Sequence, residues 1–206
     1  MLRIWGRRNS INVQKVLWCC GELNVQFERI DAGMEFGINN TPEYLAKNPN
    51  GRVPTIEDGD WVLWESHAIV RYLCGVHGLG TLWPGTPRAF AEIDKWMDWY
   101  HTSFEPDLRV VFWQLIRTPP EKRDMAAVEA ARLRCIKALA LLDGQLTGKK
   151  FLGGTTFTMG DIPLGVAAYR WFALNVERPA LRNVEAWYLR LTERPAYQQH
   201  VMLPLT

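Results

Sequence analysis

The spacing of apolar residues changes near residue 80, and this change limits the possible folds more than any other feature of the sequence. Before it, short patterns predict two strands, Leu2–Trp5 and Val25–Ile30, on either side of a helix over Asn12–Leu23. After it, apolar residues recur at helical spacing almost to the end of the chain. With 206 residues, the chain is long enough for two small domains of different structural class.

The rest of the first 80 residues predicts a short helix and then a hairpin that leads into another helix. Pro42–Lys47 predicts the short helix, while Pro54–Glu57 and Trp61–Trp64 predict two strands on either side of an Asp58-Gly59 turn. Ser66 is a suitable N-cap for the helix that follows. This order joins a βαβ unit to a hairpin, and it therefore predicts a mixed four-stranded sheet covered by helices.

A segment rich in proline and glycine, Thr81–Arg88, separates the two halves. We therefore expect an α/β domain over residues 1–82, a linker over 83–88 and an all-helical domain over 89–206. The predicted helical segments of the second domain are Ala89–Arg117, Glu121–Leu146, one that starts within Phe157–Ile162, and Val184–Glu193. Thr158 and Asp161 have the spacing of a capping box at the third segment, which gives them a role in folding.

Composition and charge exclude several classes of protein. The 24 Lys and Arg residues nearly balance the 22 Asp and Glu residues, so the net charge is +2 and we expect no nucleic-acid partner. No apolar stretch is long enough to span a membrane, and the first residues do not resemble a signal peptide, which favours a cytoplasmic protein. The four cysteines form no CxxC pair and have no histidine at a metal-ligand spacing. We therefore expect them to be reduced and buried, and we expect no metal site.

The loop between the first strand and the first helix is the first candidate for chemistry. It contains Ser10 and Asn12, and it leads into a helix N-terminus whose free N–H groups favour an anion. A thiol bound there would have a lowered pKa, because a side-chain donor and the nearby arginines stabilise its thiolate. The alternative is that Ser10 only caps the helix.

Two further junctions contain the groups needed to bind a peptide-like ligand. If the Val53–Pro54 bond is cis, the Val53 N–H and C=O face outward and can pair with such a ligand; otherwise the segment is an ordinary turn before a strand. At the next strand-to-helix junction, Ser66 and free N–H groups suit a carboxylate and Glu65 suits an ammonium group. The alternative there is simple helix capping.

The order and spacing of these segments resemble those of the glutathione S-transferase family. The matching segments span nearly the whole chain, and they are Ser10–Val16, Asn48–Pro54, Glu65–Ile69, Thr158–Ile162 and Arg194–Tyr197. The resemblance implies a thioredoxin-like N-terminal domain that binds glutathione as a co-substrate. It also implies an all-helical C-terminal domain that supplies most of the pocket for a hydrophobic electrophile, and a cytosolic homodimer without a metal.

The resemblance further implies roles for the residues that bind glutathione. The Val53 backbone, before Pro54, would pair with the cysteinyl part of glutathione. Glu65 and Ser66 would hold its γ-glutamyl head group, and Arg52 lies beside this site.

The first loop lacks the tyrosine and the cysteine that could act on the glutathione thiol, and this narrows the choice of the residue that stabilises the thiolate. Tyrosine-type members have a tyrosine at the end of the first strand, but the first tyrosine here is Tyr44, and no cysteine occupies the loop. The chain therefore resembles a bacterial serine-type member, theta-like or related, in which Ser10 donates a hydrogen bond to the thiolate. Asn12 is the alternative thiol partner and also a candidate for binding glutathione.

Phe104 and Trp113 are the aromatic candidates for the electrophile pocket, since both lie on the first long helical segment. The predicted reaction is attack of the glutathione thiolate on an electrophilic carbon. Three alternatives remain on the same fold. They are a glutathione-dependent disulfide reductase or peroxidase, a dehalogenase or isomerase, and a non-catalytic binding module.

Overall fold

A computed structural model describes all 206 residues, and it contains four strands and nine α-helices. The strands are β1 (Leu2–Trp5), β2 (Phe27–Ile30), β3 (Thr55–Asp58) and β4 (Trp61–Trp64). The helices are α1 (Ile11–Glu22), α2 (Pro42–Lys47), α3 (Ser66–His77), α4 (Pro87–Trp99), α5 (Glu105–Phe112), α6 (Met125–Gln145), α7 (Asp161–Ala173), α8 (Arg182–Thr192) and α9 (Pro195–His200). Two π-helical segments, Tyr100–Phe104 and Trp113–Arg117, flank α5, and 3-10 helices cover Met34–Phe36 and Pro120–Lys122.

The strands form one mixed sheet in the order β2-β1-β3-β4. β1 runs parallel to β2, whereas β3 is antiparallel to both β1 and β4. This arrangement follows from the βαβ unit around α1 and from the β3–β4 hairpin. The predicted mixed four-stranded sheet is therefore confirmed, and so is the all-helical second domain.

Helix α1 is buried on nearly all sides, whereas a helix at a protein surface buries a single apolar stripe. Every residue from Val13 to Cys20 is buried, including the polar Gln14 and Lys15. The reason is that α1 lies between α3 of its own domain and helices α7 and α9 of the helical domain. Trp18 packs on Tyr197 of α9, with ring centroids 4.7 Å apart. One continuous core of 43 buried apolar residues consequently joins the two domains.

Proline explains two differences between the helices and the sequence predictions. The predicted helix over residues 89–117 is interrupted by a π-helical segment just before Pro106, which lacks an N–H and would crowd the carbonyl one turn earlier. The last predicted helix was Val184–Glu193, but a further helix, α9, begins at Pro195, because proline is tolerated in the first turn of a helix.

Buried polar and thiol groups mainly support the fold. Asp161, at the start of α7, accepts hydrogen bonds from the Leu152 N–H (2.9 Å), the Thr158 N–H (3.0 Å) and the Trp187 Nε1–H (2.9 Å). All four cysteines are buried and free, as expected. No group of three or more His, Cys, Asp or Glu side chains is arranged to hold a metal ion. None of the helices combines the length and the apolar character needed to cross a membrane.

Candidate active site

A cavity of about 370 Å³ lies between the loops of the sheet domain and helices α5 and α7. Ser10, Asn12, Arg52 and Val53 line it from the sheet domain, and Trp113 lines it from the helical domain. Five residues predicted from separate parts of the sequence are thus brought together around one cavity.

Ser10 occupies the N-cap position of α1. Its carbonyl oxygen accepts a hydrogen bond from the Gln14 N–H (2.9 Å), which starts the helix, but its hydroxyl makes no capping hydrogen bond. The residue is only 6% exposed, and it lines the cavity. The hydroxyl is therefore available to a ligand at a helix N-terminus, where free N–H groups supply partial positive charge.

The side chain of Asn12 connects the start of α1 to the start of α3. Its Oδ1 atom accepts a hydrogen bond from Lys15 Nζ (2.9 Å), and Ser66 Oγ donates to the same atom at 3.5 Å. Asn12 is exposed at the cavity, whereas Ser66 is buried behind it. Ser66 thus adjoins the cavity through Asn12 without lining it.

Buried polar side chains hold the loop before β3 in place. Tyr44 Oη and Asn48 Nδ2 both donate to the Arg52 carbonyl oxygen, at 2.7 Å and 2.9 Å. The next peptide bond, Val53–Pro54, is cis. Neither the N–H nor the C=O of Val53 has a backbone partner within the chain, and Val53 lines the cavity while Pro54 is buried beneath it.

The junction between β4 and α3 differs by one residue from the sequence prediction. The prediction that Ser66 is the N-cap is wrong, because Glu65 is the N-cap and Ser66 is the first residue of the helix. Glu65 has a φ of 73°, a left-handed conformation that is uncommon outside glycine and is often found at functional sites. Its exposed side chain makes no capping hydrogen bond, so the N–H groups of the first turn of α3 are not satisfied by it.

The two aromatic residues predicted for the electrophile pocket have different environments. Phe104 is fully buried in the core and does not line the cavity, because it shares its helical face with Trp96 and Tyr100, and that face packs inward. Trp113 is 45% exposed and does line the cavity. The Arg117 guanidinium lies over the Trp113 ring, 4.6 Å from its centroid.

A buried basic cluster that no sequence motif indicated lies behind Asn12. Lys15 Nζ is 3.1 Å from His67 Nε2 and 4.5 Å from the centroid of the Tyr100 ring. Burial lowers the pKa of Lys15 to about 7, although the nearby Glu105 opposes this shift. Burial and the charge of Lys15 also lower the pKa of His67, so this histidine is neutral and its Nε2 atom is available as an acceptor.

The cavity also contains arginines that no sequence motif indicated. Arg7, Arg109, Arg117 and Arg170 line it together with a single acidic residue, Glu105. Only Arg7 lies near a predicted motif. The other three occupy the helical domain, where an arginine in the sequence ordinarily indicates a solvent-facing position.

A small mixed-sheet domain joined to an all-helical domain, with a helix N-cap serine at the cavity between them, is the architecture of the glutathione S-transferases. Two family models agree with this assignment. The glutathione S-transferase N-terminal domain matches residues 1–74, and the C-terminal domain matches residues 125–190. The chain belongs to the glutathione S-transferase family, and it is a transferase enzyme.

Individual relatives cover essentially the whole chain. Glutathione S-transferase GstB of Escherichia coli K12 is 44% identical, with 100% of both chains aligned. Glutathione S-transferase 3 of Zea mays is 32% identical over 97% of this chain and 93% of its own length. The crystal structure of the theta class glutathione S-transferase from Xanthomonas axonopodis pv. citri, with glutathione bound, superposes with a TM-score of 0.96. It is 49% identical, and the match covers 100% of this chain and 99% of that one. The resemblance to a bacterial, theta-like member is thereby confirmed.

Proposed function

We propose that the chain binds glutathione in the cavity between its domains, and that the Ser10 hydroxyl donates a hydrogen bond to the glutathione sulfur. The observation that carries this proposal is the position of Ser10, which lines the cavity at the N-terminus of α1 and whose hydroxyl does not cap that helix. A hydrogen bond to the thiolate and the partial charge of the helix both lower the thiol pKa. A relative crystallised with glutathione supports the identity of the ligand.

Asn12 is the alternative thiol partner. Its Oδ1 atom accepts hydrogen bonds from Lys15 and Ser66, which leaves its Nδ2 group as the donor that could reach a thiolate. We assign the thiolate to Ser10, because Ser10 is buried at the N-cap of α1 with a hydroxyl that makes no capping hydrogen bond, and we assign Asn12 to the binding of glutathione and to the positioning of Ser66.

The remaining groups suit the other parts of the tripeptide. The unpaired N–H and C=O of Val53 suit the cysteinyl backbone of glutathione in a strand-like pairing. The first turn of α3 and the Ser66 hydroxyl suit the γ-glutamyl carboxylate, and the exposed Glu65 carboxylate suits its ammonium group. Arg52 lines the cavity next to Val53.

The reaction proposed is transfer of the thiolate to an electrophilic carbon held against Trp113. A sulfur–carbon bond forms while the bond from carbon to the leaving group breaks, and the leaving group departs with the bonding electron pair. The thiol proton passes to solvent before the attack. None of the four buried cysteines lines the cavity, which favours chemistry by the glutathione sulfur itself over chemistry that uses a protein thiol.

A cytoplasmic homodimer is part of the same proposal. Membership of the family supports it, as do large apolar side chains that remain exposed on the edge strand β4 and on α3, namely Trp61, Trp64 and Val76. Sedimentation equilibrium of the purified protein tests the dimer, and a monomer at all concentrations contradicts it.

Retention on immobilised glutathione tests the head-group site. The variants Ser66→Ala and Glu65→Gln each remove one polar group from it, and we expect each to weaken retention about tenfold or more, the loss typical of a charge-assisted hydrogen bond. Ser103→Ala is the matched control, because Ser103 is exposed in the helical domain and Thr102 is the hydrogen-bond partner of its side chain. Unchanged retention of both site variants contradicts the assignment.

Product analysis tests the reaction. We expect wild-type protein to join glutathione to an aryl halide. Reduction of a glutathionyl disulfide or a hydroperoxide without turnover of the aryl halide contradicts the proposed transfer.

A further inference from the structure

The charge of the cavity differs sharply from that of the whole protein. The chain has a net charge of +2, yet the cavity is lined by five arginines and only one carboxylate, that of Glu105. Glu105 Oε1 lies 3.8 Å from Arg109 Nε, and the charge of Glu105 also acts on Arg170, so one carboxylate faces five arginines. The cavity therefore concentrates positive charge that the rest of the surface does not have.

Three of these residues, Arg7, Arg117 and Arg170, form what we call the arginine cluster. None of them makes an ion pair with an Asp or Glu side chain; Glu35 acts from a distance on Arg7 and Arg117, and Glu105 acts from a distance on Arg170. Burial and the charge of Arg117 lower the pKa of Arg7, and burial, Arg117 and Arg7 lower that of Arg170 to about 10. Like charges held this close favour an anion between them.

The arginine cluster is held in place by contacts other than ion pairs. The Arg170 guanidinium stacks on Phe112 (4.1 Å from the ring centroid) and donates to the Asn9 carbonyl oxygen at 3.0 Å. Arg117 stacks on Trp113 and donates from Nε and Nη2 to the main-chain oxygen of the last residue, Thr206, at 3.3 Å and 3.2 Å. Such contacts fix the guanidinium planes without an acidic side chain.

One buried donor in the cluster has no partner. Arg7 Nε is buried without a hydrogen-bond acceptor, although Arg7 lines the cavity. A buried unpaired donor is costly, and binding of an anion is the simplest way to satisfy it. Because Trp113 also lines this part of the cavity, an aromatic ring has a surface to stack on beside the anion site.

We propose that the preferred electrophile is an aromatic molecule with a carboxylate or similar anionic group, which the arginine cluster binds while the ring packs on Trp113. This inference rests on the proposed function, since it names the class of the second substrate of that site. For a chloronitrobenzoate, the glutathione sulfur bonds to the ring carbon that bears chlorine. Chloride then leaves with the electron pair of the broken bond.

Two substrates that differ only in charge test the preference. 4-Chloro-3-nitrobenzoate and 4-chloro-3-nitrobenzamide share the leaving group and the activating nitro group, and a free solution reaction with glutathione corrects for their intrinsic reactivity. We expect the corrected kcat/KM of wild-type protein to favour the benzoate by roughly 10- to 100-fold, the range for a hydrogen bond to a charged group. Equal values, or a preference for the benzamide, overturn the proposal.

Variants then assign the preference to the arginine cluster. We expect Arg117→Gln and Arg7→Gln each to reduce the ratio of benzoate to benzamide turnover about tenfold or more. Arg88→Gln is the matched control, because Arg88 is exposed and lies outside the cavity, and it leaves the ratio unchanged. A preference that survives both cluster variants overturns the assignment.

Binding of the two glutathione conjugates separates this inference from the proposed function. Calorimetry on wild-type protein is expected to show tighter binding of the carboxylate conjugate than of the carboxamide conjugate. If both bind equally, the anion site is overturned and the glutathione site stands; if neither binds, both are overturned. If Arg117→Gln weakens the binding of glutathione itself as much as the binding of the carboxylate conjugate, the arginine cluster binds glutathione and the inference is again overturned.

Discussion

Removal of the Ser10 hydroxyl tests the thiolate assignment quantitatively. In Ser10→Ala, bound glutathione loses one hydrogen bond to a charged sulfur, an interaction that contributes about 1.5–3 kcal/mol. One pKa unit corresponds to about 1.36 kcal/mol, so the pKa of the bound thiol is expected to rise by about 1–2 units. The free N–H groups of α1 and the charge of Arg7 are unchanged in this variant, which limits the rise to this range.

The assay follows thiolate absorbance against pH in the presence of saturating glutathione. Because the thiolate is the reactive form, the rising limb of the pH dependence of kcat/KM should move to higher pH by the same amount as the titration. Ser10→Thr is the control, because it retains a hydroxyl at the same position and should recover most of the wild-type pKa. An unchanged pKa in Ser10→Ala, together with a raised pKa in Asn12→Ala, refutes the reasoning and transfers the role to Asn12.

Three further predictions concern the surroundings of the site. Burial lowers the pKa of Lys15 from 10.5 to about 7, so between these pH values the unfolded chain binds one more proton than the folded chain. The free energy of unfolding should therefore rise with pH across this range. Chemical denaturation should show a weaker rise with pH in Lys15→Met, and an equal rise in both proteins contradicts the burial of a titrating lysine. Asp161→Asn keeps one oxygen for Leu152 and Trp187 but replaces the oxygen that accepts from the Thr158 N–H, so one buried donor loses its acceptor. We expect a cost of about 2 kcal/mol, or a fall of about 4–8 °C in Tm by calorimetry. Asp124→Asn at the N-cap of α6 should cost almost nothing, because Asn and Asp cap helices about equally well, and equal effects contradict the role of Asp161. Trp113→Ala should raise the KM for an aromatic electrophile several-fold in steady-state kinetics, without weakening glutathione binding; an unchanged KM removes Trp113 from the pocket.

Features with a local signal were predictable from the sequence. The bounds of α2 and β4 agree with the prediction to the residue, because a proline starts α2 and a turn precedes β4. The loops around Ser10 and Val53 were also predictable, because helix starts and X-Pro turns depend on residues that are adjacent in the sequence.

Features that depend on packing between the domains were not predictable. The sequence predicts a solvent-exposed Lys15 on an amphipathic helix. In the structure Lys15 is buried, because the helical domain covers α1. Arg117 and Arg170 are distant in sequence and meet only at the cavity. Phe104 was a candidate for the pocket because it lies on the first long helical segment, but the sequence of a helix does not show whether a given face points to the core or to the cavity.

A structure with glutathione bound tests the central claim most directly. We expect the sulfur at hydrogen-bond distance from Ser10 Oγ, the cysteinyl backbone paired with Val53, and the γ-glutamyl carboxylate at the first turn of α3. A glutathione molecule with its sulfur on Asn12 or away from the N-terminus of α1 would contradict the account.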